Sequence, residues 1–454
     1  MKRLSFKRQL TYLSLLLAAI MALGGMPRFA EAAPAPAPLA QGAQRTFFFA
    51  EGSTQPPFDT WFLVENPSNL PIGLTFTFFL QPTGTVVQTY TVGPTSRFSL
   101  FANQALPNQA FSTRIDASAP IFAERAMYVG YDGDVVNGIP APNRTWLFAE
   151  GATVQPFHTW LLLQNQNNVV SRASITYLLE NGQIVTQTLS LPANSRTSIF
   201  VNDVLPNAAF SSRVDADQPI IAERAMYRFP GNAATVNSGV IAPSANWFFA
   251  EGRTALSSLR GDGAPADTFL LLQNPNSTQA TATITLFGVG GNTTTFAVAV
   301  LPTSRITLFL NSVFSGSFGI RVVSNSPIIA ERSIFFGDEP RGAYSTQGAT
   351  ALATSWHLAE GETRSPFNEM ITILNPNGQT ASVRMDFLLE SGETVPGFFD
   401  VGANSKLEVE VGRIVQGANS ANVTSSLPIV VERTMFIFKL GSEGAHDTIG
   451  FAGS

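Results

Sequence analysis

Residues 173–191 read ASITYLLENGQIVTQTLSL. An apolar run, 173–179, is closed by Glu180-Asn181-Gly182, and 184–191 then alternates between apolar and polar residues. Asn-Gly between two such runs is the strongest short signal for a β-hairpin, because both residues tolerate the positive φ of a tight turn. Outward from this hairpin the pattern continues. Upstream lie 146–150 (WLFAE) and 159–164 (TWLLLQ), the latter stopping at Asn165. Downstream, Pro192-Ala193-Asn194 breaks the chain before 197–201, 210–215 and 219–227. About seven short strands with turn residues at regular spacing and no helical period predict a two-layer antiparallel sandwich.

The same pattern is written four times. Aromatic-Ala-Glu-Gly openings place Glu51, Glu150, Glu251 and Glu360 at steps of 99, 101 and 109 residues. Closing Glu-Arg pairs fall at 124–125, 223–224, 331–332 and 432–433, stepping by 99, 108 and 101. Each period is one small domain long. The reading is a signal peptide at 1–32, an Ala/Pro-rich linker at 33–45, and repeats at 46–142, 143–243, 244–348 and 349–454. A propeller with two blades per repeat would show a half-period near 50 residues, and none is visible. Short joints such as Gly138-Ile139-Pro140-Ala141-Pro142 and Val240-Ile241-Ala242-Pro243 restrict bending, so the units are expected to stand end to end as an elongated rod.

The N-terminus carries Lys2, Arg3, Lys7 and Arg8, an apolar run at 13–23, and the small-residue site Ala30-Glu31-Ala32. That order predicts a secretory signal peptide and a secreted or cell-surface protein, with no membrane insertion once it is removed. Its loss removes five basic residues and one acidic residue, taking the formal charge from −5 to −9. A lysine-poor, acidic chain excludes nucleic acid as a partner, since binding it requires clustered positive charge. Charged residues make up 13% of the chain, about half of the roughly 25% usual in globular proteins. The 36 phenylalanines supply a core, and the absence of cysteine excludes disulfides.

FAEG, LLLQN, NSR and AERAMY together resemble a family of secreted bacterial tandem-repeat proteins. The resemblance covers nearly the whole mature chain from Phe47 onward. It implies immunoglobulin-like units and no particular chemistry. The chain departs from the pattern at Phe47, where the other units have Trp, at Lys406, where they have Arg, and at Asn368-Glu369-Met370.

Candidate chemistry is sparse. In 220–227, Ile220, Ala222, Arg224 and Met226 share one strand face and Ile221, Glu223, Ala225 and Tyr227 the other. Glu51 and Glu124 are a conceivable glycosidase acid and base. Their recurrence in every unit, with no repeated His or Asp beside them, favours buried ion pairs that fix the sheets, together with Arg97, Arg196, Arg305 and Lys406. His158, His357 and His446 occupy unrelated repeat positions, so neither a zinc site nor any cofactor is predicted. Trp61, Trp146, Trp160, Trp247 and Trp356 are read as framework rather than sugar platforms. The third unit has 23 residues from Glu251 to Asn274 where the others have 15. This insertion contains Arg260-Gly261-Asp262, a loop candidate for adhesion, with Asp262 and Asp267 as a possible calcium pair. The resulting expectation is a non-enzymatic structural or adhesive surface protein with a cell-envelope polysaccharide or protein partner, or self-association. The alternative is a multivalent carbohydrate-binding array.

Overall fold

Seven strands recur in each unit and are numbered β1–β7 within it. In the first they are β1 Gln44–Phe49, β2 Phe58–Asn66, β3 Ile72–Leu80, β4 Thr85–Val92, β5 Ser96–Phe101, β6 Phe111–Val129 and β7 Asp132–Asn137. The fourth unit adds a two-residue β8, Phe451–Ala452, that pairs with its β1. The structure is a computed structural model and describes residues 42–130, 132–228, 233–255, 265–337, 342–439 and 442–453. The hairpin of 173–191 forms as its sequence predicts. Leu178 pairs with Ile184 across the two strands, and Gly182 takes a φ of 80° and donates its N–H to the Leu179 carbonyl at 3.0 Å.

Each unit is an antiparallel two-layer sandwich built on one long strand. The first half of β6 lies between β3 and β1, with β4 outside β3. Its second half lies between β2 and β7, with β5 outside β2. Both ladders skip residues 118–120, where Pro120 has no N–H to contribute. The units share the layered architecture of immunoglobulin-like domains, with a strand order of their own because β6 serves both sheets.

Phenylalanine fills the first core: Phe62 meets Phe76 and Phe78 meets Phe111, at centroid distances of 5.6 and 5.3 Å. Trp146, Trp247 and Trp356 are completely buried on β1 of the later units. Their indole N–H groups donate to the carbonyls of Ile220, Ile328 and Ile429 at 3.0–3.1 Å. They are framework, and none can offer a face to a sugar. The asparagine ending each β2 ties two loops together: Asn165 donates through Nδ2 to the Val169, Leu191 and Pro192 carbonyls, and Asn274 and Asn375 repeat the arrangement.

The expected rod is not formed. The described residues make one compact unit, and the β7 strands stand side by side around a common axis. These are Asp132–Asn137, Ala233–Ser238, Gly342–Gln347 and Ser442–Ile449. Each packs on the next, and the fourth packs on the first. The Pro-bearing segments are not free linkers either. Ile139 bridges to Phe48 and Val240 to Leu147 within their own units. The physical reason lies in the joints: each is the same head-to-tail contact, and a head-to-tail contact whose rotation closes gives a ring rather than a filament.

Candidate functional site: four joints and an axial cluster

Glu and Arg are adjacent on β6, so strand geometry aims them at opposite faces. The structure uses both faces. Glu223 of the second unit is fully buried and reaches back to the first. Its Oε1 accepts from Ala50 N at 2.9 Å, and its Oε2 accepts from Glu51 N at 3.2 Å and Arg125 Nη1 at 2.7 Å. Arg224, one residue on, reaches forward to Glu331 of the third unit at 2.6 Å. Arg332 meets Glu432 at 2.6 Å, and Arg433 meets Glu124 of the first unit at 2.8 Å. That last pair closes the cycle.

The remaining repeated residues complete the same joint. Arg196 on β5 of the second unit donates to the carbonyls of Gly52 and Phe111 in the first, at 2.6 and 3.0 Å. Arg305 does so to Gly151 and Phe210, and Arg97 to Gly361 and Asn419. The opening glutamates are capped from the next unit: Tyr227 donates to Glu51 at 3.0 Å, Ser333 to Glu150 at 2.6 Å, and Tyr128 to Glu360 at 3.3 Å. The glycine after each opening glutamate has a steric cause, since a Cβ on Gly52 or Gly151 would come within 2.5 Å of the Phe111 or Phe210 ring. Burial pushes the carboxyls of Glu51, Glu124, Glu150 and Glu360 above the usual range, against the pull of the neighbouring arginines.

Glu51 and Glu124 therefore belong to different joints and do not form an acid–base pair. The two departures in the fourth unit are coordinated changes. Lys406 donates to Glu251 Oε2 at 2.7 Å, and Arg253 also binds Glu251. Although buried, Glu251 is held well below the usual carboxylate range by Arg253 and Lys406. Glu369 takes the place of a threonine and accepts from Asn419 at 2.8 Å, while Asn419 stands where the first three units have Phe. Burial raises the Glu369 carboxyl to about 7.

The closing seam, between units four and one, is the joint without a connecting segment, and it gathers two of the three histidines. His357 stacks on Phe122 with ring centroids 4.1 Å apart, and its Nδ1 lies 3.7 Å from the buried Glu65. His446 is buried with Nε2 3.1 Å from the Tyr128 hydroxyl. Burial, with Arg433 nearby, depresses its pKa well below the ordinary value. His158 sits far along the chain, edge-on to Phe200 at 5.5 Å.

At the axis lies a group that the sequence reading missed. Asp132 is fully buried, and its carboxylate accepts backbone N–H groups from all three other units: Ala234 at 2.8 Å, Ala343 at 3.1 Å and Ala445 at 2.8 Å. Burial raises its pKa well above the usual range. The available signal was Asp132-Gly133-Asp134: at the matching positions the second and third units, 233–238 and 342–347, have no charged residue, and the fourth, 444–449, has a single late aspartate, Asp447. Arg260, Gly261 and Asp262 lie outside the described residues. Asp267 lies in β2 of the third unit, Ala266–Asn274. Among the described residues no helix is long and apolar enough to cross a membrane, and no group of three acidic, His or Cys side chains is placed to hold a metal.

No protein-family model matches the chain, and no curated protein matches it. Among solved structures, Thermotoga maritima 1070 is 21% identical over 23% of this chain and 93% of its own, with a TM-score of 0.21. The Anabaena sensory rhodopsin transducer is 21% identical over 18% of this chain and 95% of its own, with a TM-score of 0.17. A tetra-tandem repeat from the extending region of a large adhesion protein is 12% identical over 85% of this chain and 92% of its own, at 0.10. Likenesses at these scores carry no argument about function, and the fold rests on the chain's own geometry.

Proposed function

We propose that this chain is a non-enzymatic scaffold exported to the cell surface or its surroundings, a rigid four-unit body rather than an extended spacer. One observation carries the reading: the repeated glutamates, arginines and aromatic-Ala-Glu-Gly turns are consumed in joining the units. Buried ion pairs of this kind add little net stability against an apolar alternative, but they penalise every other arrangement of the units. Export rests on the charged start, apolar run and Ala30-Glu31-Ala32 of the sequence. An array with one tryptophan sugar platform per unit loses its basis, because Trp146, Trp247 and Trp356 are enclosed.

The test follows the native full-length chain through culture supernatant, washed envelope and high-salt extract. The expected result is a chain trimmed after Ala32 and retained in the envelope. An untrimmed chain in the cytosol overturns export. Release of new reducing ends from envelope polysaccharide by the purified protein overturns the non-enzymatic reading.

A further inference from the structure

We infer that the outer face of the fourth unit carries a binding site for a neutral sugar. Here β3 is Ala381–Leu389, β4 is Thr394–Val401 and β6 is Asn419–Lys439. These strands line a shallow cleft of about 470 Å³. At its edge stands Phe398, with 71% of its surface open to solvent. The fifth residue of β4 is Thr89, Thr188 or Ala297 in the other units, so the ring is a property of this unit and not of the fold.

The polar groups around the ring are pre-set. Arg384, paired with Phe398 across the sheet, holds its guanidinium 5.8 Å from the ring centroid and is fixed by two bonds to Asp386 Oδ1 at 2.9 and 3.0 Å. Ser382 donates to Asp400 Oδ1 at 2.8 Å, and Ser426 Oγ accepts from Ser382 N at 2.9 Å. An exposed aromatic face bordered by fixed carboxylate, guanidinium and hydroxyl groups suits a pyranose, whose apolar C–H face stacks while its hydroxyls bond at the rim. Charge selects the sugar class. Arg384 and Asp400 in the lining offset one another, and Arg384 is further held by Asp386 beside the cleft, so no unpaired cation faces a ligand, which disfavours uronic acids and phosphate-bearing polymers. This inference goes beyond the scaffold reading and does not depend on it: the site would bind wherever the chain resides.

The experiment is affinity electrophoresis of the full chain through gels containing dextran, mannan, xylan or hydroxyethylcellulose, with alginate as the acidic control. Retardation by at least one neutral polymer and none by alginate is expected, with at least a tenfold loss of affinity in Phe398→Ala. That variant should melt with the wild type, because the ring is exposed, and Val87→Ala serves as a surface control with unchanged retardation. The inference is overturned by the absence of retardation in every neutral polymer, by retardation that survives Phe398→Ala, or by retardation in alginate alone. Concentration-dependent self-association abolished by Phe398→Ala would also overturn it, and would assign the face to a second copy of the chain.

Discussion

Glu124→Gln tests the closure of the ring. In the wild type, Glu124 Oε1 accepts from Ala359 N at 2.7 Å and Oε2 accepts from Arg433 Nη2 at 2.8 Å. The amide can keep one acceptor but loses the charge, and it turns an N–H toward either a guanidinium or a backbone donor. Removing one partner of a buried ion pair costs about 3–5 kcal/mol. Arg433 retains Glu360 at 2.8 Å, which places the cost near the lower end, at about 3 kcal/mol. No connecting segment spans this seam, so the loss falls directly on its opening. Hydrogen exchange read by mass spectrometry on a peptide covering 356–361 should then quicken by about 100-fold, the factor that corresponds to about 3 kcal/mol. The equivalent peptide at the first joint, 47–52, whose Ala50 N is held by Glu223, should stay near its wild-type rate. Unchanged exchange at 356–361 would refute the closure argument. Equal loosening at both peptides would refute the argument that the loss falls on the closing seam.

Three further outcomes are expected. Glu369 has a folded pKa raised by burial to about 7, so its contribution is complete below the ordinary carboxylate pKa and is lost as pH rises toward 7, on the order of 3 kcal/mol. Glu369→Gln should therefore melt above the wild type at pH 8 and near it at pH 4.5, and a variant no more stable at pH 8 would refute the assignment. Asp132→Ala leaves three buried N–H groups from three units without an acceptor and should cost about 3 kcal/mol or more in denaturant unfolding. Added formate should restore part of that loss, whereas a variant as stable as the wild type would remove Asp132 from the axis. Trp146→Phe copies the first unit's Phe47 and removes one buried N–H bond, so a loss of about 1 kcal/mol is expected by chemical unfolding. A loss several times larger would mean that the indole ring itself is the support.

The hairpin at 173–191 shows how far local sequence reaches, because alternation and Asn-Gly act within a few residues and need no distant partner. The third unit's insertion was legible as an irregularity in length only. The glutamates and arginines were legible as opposite-facing strand residues, yet their partners were not, since Glu223 bonds to residues more than 170 positions away. The Asp132 cluster stayed hidden for the same reason. Its acceptor role exists only once three other β7 strands bring their N–H groups to one point. Phe398 looked like another core phenylalanine among 36, and only its outward register on β4 separates it from Phe399.

The sequence by itself determined the strands, the turns, the number of units and the alternation that sends adjacent Glu and Arg to opposite faces, because these follow from period and local conformation. Only the tertiary structure decided that the units close on themselves. The angle between successive units is set by how the Glu, Arg and Ala-Glu-Gly groups of one joint fit together. Whether four such angles return to the start is a geometric property of the whole, which no single repeat contains.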